Sequence, residues 1–177
     1  NMKMPPIGEK LYSFGALSDI HLQYSTAQED FQRALTYLNN TEDVEFICIC
    51  GDLTDNGEIA DFQEYVEYVN TYSEDTPVYE VTGNHDVQTT QASFDFLKPY
   101  TGHNLYYSFT QGDDVFIMFG MTAWPGVTGE IFSQESLQWL YETLEDNRNK
   151  RCIVFQHVLR FDGSGKPYSP AMTGDLL

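Results

Sequence analysis

The chain has 177 residues, enough for one domain with a buried core, and we expect a single domain over residues 1–177. Hydrophobic residues make up 41% of it and charged residues only 20%, which excludes an intrinsically disordered chain. The formal net charge of −18 argues against nucleic-acid binding through a basic patch and against contact with anionic membranes, and any phosphate substrate would need a local cation.

The first half of the chain alternates strand and helix patterns. Short apolar runs rich in β-branched, aromatic and sulfur-bearing residues predict three strands: Leu11–Leu17, Val44–Cys50 and Pro77–Thr82. A capping box formed by Thr26 and Glu29 predicts the start of the first helix, and a second helix is predicted from about Glu58. This β-α-β-α-β order implies parallel strand pairing with right-handed crossovers.

The pattern changes after the third strand. Ser93–Leu97 predicts a short helix. Two further strands are predicted over Leu105–Thr110 and Val115–Gly120, and the polar segment Gln111–Asp114 between them is typical of a hairpin. This part of the fold is therefore expected to contain antiparallel pairing.

The last third of the chain predicts one more helix and one more strand. Ser133 is expected to cap a helix that ends near Glu145. Its apolar positions are expected to face inward: Leu137, Leu140 and Leu144. A strand is predicted over Cys152–Gln156, followed by a loop rich in Gly, Pro and Ser over Arg160–Ser169.

The three cysteines do not form a disulfide framework. Cys48 and Cys50 alternate within one predicted strand and Cys152 lies in another, so buried free thiols are favoured over metal or redox roles. Free thiols favour a reducing compartment. The sequence shows no signal peptide and no apolar run long enough to span a bilayer, which favours a cytoplasmic protein without a membrane partner.

Side chains that can bind metals follow four of the predicted strands: Asp19 and His21, Asp52, Asn84 and His85, and His157. The carboxyl ends of strands in one sheet meet at one edge, so these groups can share a site although they are distant in sequence. Carboxylate, imidazole and amide ligands without thiolate suit Mn, Fe or Zn better than they suit a structural cysteine zinc site. One carboxylate can also bridge two ions.

Each of these pieces alone has an ordinary structural explanation. Asp19-Ile20-His21 fits a loop, Gly51-Asp52 fits a turn, and His157 fits a hydrogen-bonded core histidine. Their joint appearance at strand ends favours a metal site. His103 follows no such strand and is predicted to be a surface loop residue.

Four motifs together resemble those of the calcineurin-like metallophosphoesterases: Asp19-Ile20-His21, Gly51-Asp52-Leu53-Thr54-Asp55, Gly83-Asn84-His85-Asp86 and His157. The resemblance extends over the chain from Leu11 onward. It implies an α/β fold, a four-layer α/β/β/α sandwich with mixed sheets, that holds two divalent or transition metal ions. It also implies a metal-dependent phosphoesterase that acts on a phosphodiester or phosphomonoester by attack of a metal-bound hydroxide.

The resemblance also implies a role for each residue. It implies metal ligands in chain order: Asp19 and His21 for the first ion, Asp52 as the bridge, and Asn84 and His157 for the second ion. His85 resembles the catalytic histidine that protonates or stabilises the leaving oxygen. Asp55 resembles the acid that orients His85.

One departure from the family pattern bears on activity. The family closes its site with a later Gly-His-x-His motif, whereas this chain has four histidines and none after His157. The resemblance therefore implies that the C-terminal part of the fold is missing, that metal binding and activity are weak, and that self-association follows from an exposed sheet edge. The alternative is a non-catalytic domain with an incomplete metal centre that acts in binding or assembly.

The substrate class is only partly indicated. Asn56 follows Asp55 where the protein serine/threonine phosphatases of this superfamily carry an arginine that grips phosphate. This favours the cyclic-nucleotide phosphodiesterase or purple-acid-phosphatase-like branches and a small phosphate ester. The segments Trp124–Gly126 and Arg160–Tyr168 are candidates either for substrate contact or for plain packing.

Overall fold

A computed structural model of the protein describes residues 10–23, 25–41, 44–87, 98–99, 101–122 and 131–158. Within these ranges lie six strands: β1 (Ser13–Leu17), β2 (Val44–Cys50), β3 (Val78–Val81), β4 (Tyr106–Gln111), β5 (Asp114–Phe119) and β6 (Arg151–Phe155). The described helices are α1 (Ser25–Asn39), α2 (Ile59–Tyr72) and α3 (Gln134–Asp146). None of them is long and apolar enough to cross a membrane.

The first sheet has the strand order β1-β2-β3, and both neighbouring pairs are parallel. This confirms the parallel pairing expected from the β-α-β-α-β pattern. The central strand β2 has the predicted bounds, and the strands on either side are shorter than predicted by a few residues. Parallel pairing places the carboxyl ends of all three strands at the same edge of the sheet.

The second sheet has the order β4-β5-β6 and is mixed. Strands β4 and β5 are antiparallel, as the hairpin signal predicts, and Gln111 already pairs with Asp114 across the turn. The connection is therefore tighter than the four-residue segment predicted from sequence, with Gly112 and Asp113 at its tip. Strands β5 and β6 are parallel, so β6 ends at the edge that β5 also reaches.

The two sheets pack face to face because β2 alternates its side chains. Phe46 and Cys48 point to the second sheet, where the ring of Phe46 lies 4.9 Å from that of Phe116 between centroids. Ile47 and Ile49 point the other way, into a core formed with α1 and α2. Four aromatic or aliphatic helix residues complete that second core: Phe31, Leu35, Phe62 and Tyr65.

The outer face of the second sheet is covered by α3. Ser133 caps this helix as predicted, accepting a hydrogen bond from the Ser136 N–H. The Trp139 ring lies 5.0 Å from that of Tyr106 in β4 and 6.4 Å from that of Phe119 in β5, between centroids. Helix, sheet, sheet and helix thus form the four-layer α/β/β/α sandwich, which confirms the predicted fold class.

Two local predictions are wrong. Helix α1 already includes Ser25, so Thr26 lies inside the first turn and does not cap the helix as predicted. Leu144 is 38% exposed and does not face inward, because Trp139, nearer the middle of α3, provides the contact with the sheet. The predicted helix Ser93–Leu97 and loop Arg160–Ser169 lie outside the described residues.

Candidate metal centre

The carboxyl ends of β1, β2, β3 and β6 meet at one edge of the sandwich, here called the rim. The segment after β1 runs alongside the segment after β2, because the Asp19 N–H donates to the Gly51 carbonyl at 3.1 Å and the His21 N–H donates to the Asp52 carbonyl at 2.9 Å. His157 reaches the same place from β6, in the other sheet, and donates from Nδ1 to the Cys50 carbonyl at 2.7 Å. The six residues predicted from strand ends are therefore neighbours in space.

The backbone of the rim is strained at the residues that resemble metal ligands. Asp19, His21 and Asp52 have φ values of 56°, 47° and 51°, in the left-handed region that L-residues rarely adopt. Such a conformation costs on the order of 1–3 kcal/mol per residue and persists where the surroundings enforce it. The hydrogen bonds between the two loops enforce it here, and the result is that all three side chains point to one position.

Two glycines allow the rim to close. A Cβ on Gly51, whose φ is +83°, would lie 2.6 Å from the Cβ of His157, and a Cβ on Gly83 would lie 2.3 Å from Oδ1 of Asp52. Both distances are too short for any side chain to be accommodated without movement of the neighbour. The absence of a side chain at these two positions lets Asp52 and His157 approach each other.

Asp52 is the central carboxylate of the rim. Its Oδ1 accepts the main-chain N–H of His85 at 2.9 Å, and its Oδ2 lies 3.2 Å from Nε2 of His157 and 3.5 Å from Nε2 of His21. One carboxylate oxygen therefore lies near two imidazoles, one from each sheet, which is the position that a bridging ligand would take. Burial raises the pKa of Asp52, but hydrogen bonds from His157 and from the His85 N–H bring that pKa below its ordinary value.

The three histidines at the rim use Nδ1 for a hydrogen bond to the protein. His21 Nδ1 lies 3.0 Å from Oδ1 of Asp55, and the Nδ1 of His85 lies 2.7 Å from the Asp55 carbonyl. The Nδ1 of His157 is bound to the Cys50 carbonyl, as described above. A fixed Nδ1–H leaves the Nε2 lone pair of each ring as the atom that can bind a metal or exchange a proton.

His157 also contacts the last predicted ligand. Its Nε2 lies 3.2 Å from the amide oxygen of Asn84, and the hydrogen bond with Asp52 raises the pKa of His157 to about 9. The imidazole thus carries a proton between two oxygen ligands in the structure as it stands. A divalent cation would replace that proton with the same neighbours, so the donor set fits a metal ion.

Among the residues that the structure describes, two groups of ionisable side chains have ligand atoms within 4.8 Å of one another: Asp19, Asp52 and His157, and His21, Asp55 and His85. Every ligand atom in them is a carboxylate oxygen or an imidazole nitrogen, a set that suits Mn, Fe and Zn. Beside Asp19 and His21, a cavity of about 410 Å³ extends along the first turns of α1 towards Asp30. The cavity therefore borders the rim at these two residues.

Asp86 ends the motif Gly83-Asn84-His85-Asp86, from which no role was predicted for it. It is fully buried and accepts the main-chain N–H of Leu53, Thr54 and Gly83 at 3.1, 2.9 and 2.8 Å, and the Thr54 hydroxyl at 3.0 Å. Burial raises the pKa of Asp86 to about 6 although the main-chain N–H groups lower it. The side chain fastens the loop that carries Asp52 to the loop that carries Asn84.

His103 lies in a loop, as predicted, but its side chain is partly buried, with 25% exposed. Its Nδ1 lies 2.8 Å from Oε1 of the buried Glu80, and its ring stacks on Tyr107 with centroids 4.5 Å apart. The reason is that Glu80 points into the protein from β3 and needs a polar partner. The sequence contains a signal for this contact, because Glu80 lies in the middle of an otherwise apolar strand and a buried glutamate needs a polar partner.

With this geometry established, comparison with known proteins identifies the family. The family model described as calcineurin-like phosphoesterase matches residues 12–177, so the chain belongs to the calcineurin-like phosphoesterase family. A comparison with curated proteins gave no match. The family binds divalent metals, and the two groups of ligand atoms at the rim are in accord with that.

Proposed function

We propose that the protein is a metal-dependent phosphoesterase that hydrolyses a small phosphodiester or phosphomonoester at the rim. One observation carries the proposal. Asp52 lies between the Nε2 atoms of two histidines that come from different sheets, while His85 stands beside it. A cluster with only a structural role would not need three polar residues that are strained or buried. It would also not need imidazole Nε2 atoms that face carboxylates.

In this proposal Asp19, His21 and Asp52 hold one divalent ion, and Asp52, Asn84 and His157 hold the other. When bound, the two ions would supply Lewis-acid charge to the phosphoryl oxygens and lower the pKa of water. They also supply the cation that a chain with net charge −18 requires in order to bind phosphate. Mn, Fe and Zn all suit this set of ligands.

His85 is proposed to act on the leaving group. Its Nδ1 donates to the Asp55 carbonyl at 2.7 Å, so the proton for the departing oxygen comes from Nε2. This step requires the imidazolium form, in which both ring nitrogens carry a proton, and it leaves the neutral ring with Nδ1–H. The side chain is 34% exposed, which leaves it accessible to a substrate, and its main-chain N–H is fixed on Asp52. This places a proton donor directly beside the bridging carboxylate.

Residues around the rim support a proposal for the substrate class. Asn56 stands next to Asp55 and cannot form the bidentate phosphate contact that an arginine would form. The cavity beside Asp19 offers room for the rest of the substrate, and its wall includes Asp30, which disfavours a second anionic group there. A small ester of phosphate with an uncharged or cationic leaving group fits these features best.

The direct test is hydrolysis of a panel of phosphomonoesters and phosphodiesters in the presence of Mn²⁺. The proposal expects turnover of at least one class, and expects Asp52→Asn to abolish both turnover and Mn²⁺ binding. His103→Gln is the matched control, because His103 contacts Glu80 and lies outside the two ligand groups. Turnover that survives Asp52→Asn would overturn the proposal.

A second candidate function is binding or assembly without hydrolysis. It is favoured by the observation that each group of ionisable ligands in the described ranges has only three members. Mn²⁺ binding at the rim without turnover of any ester in the panel would support this candidate over the phosphoesterase. Self-association would be a further property of such a domain, measurable by sedimentation.

A further inference from the structure

We infer that Asp55 positions two histidines by different parts of the same residue: its carboxylate holds the metal ligand His21, and its main-chain carbonyl holds His85. The inference rests on the proposed function, because it takes the roles of His21 and His85 from it. It differs from the expectation drawn from sequence, in which the Asp55 side chain serves His85. Asp55 is accordingly a positioning residue for metal binding.

The distances separate the two contacts. Oδ1 of Asp55 lies 3.0 Å from Nδ1 of His21 but 3.7 Å from Nδ1 of His85. The first distance is a hydrogen bond and the second is too long for one. The Asp55 carbonyl lies 2.7 Å from His85 Nδ1 and takes that N–H instead.

The orientation of the rings supports the same division. The imidazoles of His21 and His85 are nearly perpendicular, with an interplanar angle of 84° and centroids 4.6 Å apart. A ring N–H donates in the plane of its own ring, so two perpendicular rings are served best by two separate acceptors. Asp55 offers both acceptors from one position.

His21 links this carboxylate to the proposed metal position. On the opposite edge of its ring, Nε2 lies 3.5 Å from Oδ2 of Asp52 and 4.0 Å from Oδ1 of Asp19. The His21 ring therefore has the Asp55 carboxylate at one nitrogen and the proposed metal position at the other. In such arrangements the carboxylate fixes the tautomer and orientation of the ring and raises its basicity as a ligand.

The loop after Asp55 is shaped to bring the carbonyl to His85. Gly57 has φ +67°, and a Cβ there would lie 2.6 Å from the Asp86 carbonyl oxygen and 3.0 Å from that of His85. The Gly57 N–H also donates to the Thr54 hydroxyl at 3.0 Å, which closes the turn. The loop carrying Asp55 thus packs directly on the backbone of His85 and Asp86.

The test measures tautomers and metal affinity and needs no turnover, so it stands even if no ester is hydrolysed. Nitrogen NMR of the imidazole rings is recorded on the metal-free protein, and Mn²⁺ affinity is measured by calorimetry. In Asp55→Ala we expect His21 to lose its Nδ1–H form while His85 keeps it. Mn²⁺ affinity should fall about 10–100-fold, as for other partners that orient a metal ligand.

Two further variants make the outcome decisive. Asp61→Asn is the control: it removes a carboxylate that interacts electrostatically with that of Asp55, and it should change the tautomer of neither His21 nor His85. Asp55→Asn keeps an acceptor oxygen, so both tautomers should be retained with a smaller loss of affinity; this variant decides if Asp55→Ala fails to fold. A tautomer change at His85 with His21 unaffected, or an unchanged Mn²⁺ affinity in both Asp55 variants, overturns the inference.

Discussion

The Nε2 atom of His157 lies 3.2 Å from Oδ2 of Asp52, and this contact joins the carboxyl end of β6 in one sheet to that of β2 in the other. The side chains of His157 and Asp52 are 10% and 4% exposed. Breaking such a buried pair is costly because it leaves one charge without its partner, so the contribution of the pair depends on the charge of both residues. The same two residues are proposed metal ligands, so this pair contributes both to the proposed metal site and to the stability of the fold.

The first prediction concerns the pH dependence of the metal-free protein. The hydrogen bond with Asp52 raises the pKa of His157 from 6.5 to about 9, so this histidine binds its proton more tightly in the folded state. A raised histidine pKa stabilises the fold fully below the unfolded value, and that stability is lost as pH rises through the folded value. We therefore expect the free energy of unfolding to fall between pH 6.5 and about 9.

Urea unfolding of the metal-free protein at the two ends of this range measures the effect. The loss should amount to a few kcal/mol at most, since one pKa unit corresponds to about 1.4 kcal/mol. His157→Gln is the control, because it cannot titrate and should show a smaller loss over the same range. An equal loss in both proteins would show that His157 is not the responsible group.

The second prediction concerns Asp86. Removal of its carboxylate in Asp86→Ala leaves three main-chain N–H groups and the Thr54 hydroxyl without this acceptor in a buried position. Each buried donor without a partner costs on the order of 1–3 kcal/mol, so we expect a loss of about 3 kcal/mol or more. Chemical denaturation measures it, with Asp113→Ala at the exposed hairpin tip as control. A loss comparable to that of the control would contradict the clamping role.

Most of the fold was predictable because it depends on periodic patterns. The bounds of β2 and the capping of α3 by Ser133 follow from local signals that tertiary contacts do not override. The predicted cap at Thr26 was wrong because helix ends depend on neighbouring segments. The predicted inward position of Leu144 was wrong because α3 contacts the sheet through Trp139. Tertiary packing decides which face of a helix contacts the sheet, and the spacing of apolar residues along the helix does not determine it alone.

The sequence predicted which residues gather at the rim, but it did not predict which of their atoms contact one another. Asp19, His21 and Asp52 could be grouped because strand ends converge at one edge of a parallel sheet. Which acceptor holds which imidazole depends on loop geometry at the scale of 1 Å, as the two contacts of Asp55 show. The role of Asp86 was not predicted because three of its four partners are main-chain N–H groups, which leave no trace in side-chain motifs.

The third prediction tests the role of His85. If it is the proton donor, His85→Ala should lower turnover about 10²–10⁴-fold, the range for a positioned general acid. Metal content should remain nearly unchanged, because only the main-chain N–H of His85 contacts Asp52, and alanine keeps that N–H. Steady-state kinetics and elemental analysis give the two readouts, with His103→Gln as control. Metal lost together with activity would make His85 a ligand.

The last prediction separates close packing from backbone strain at the rim. Gly51 and Gly112 both have positive φ, +83° and +57°, so alanine at either position carries the left-handed penalty of about 1–2 kcal/mol. Of the two positions, only Gly51 brings the new Cβ onto a neighbour, 2.6 Å from the Cβ of His157, whereas no atom of the described residues lies within 4 Å at Gly112. Gly51→Ala should therefore destabilise the protein by about 1–3 kcal/mol more than Gly112→Ala, the usual cost of overpacking. It should also weaken Mn²⁺ binding, because His157 is displaced from Asp52, while Gly112→Ala should bind Mn²⁺ like the unsubstituted chain. Equal effects of the two substitutions on both stability and Mn²⁺ affinity would mean that the contact between Gly51 and His157 does not determine the geometry of the rim.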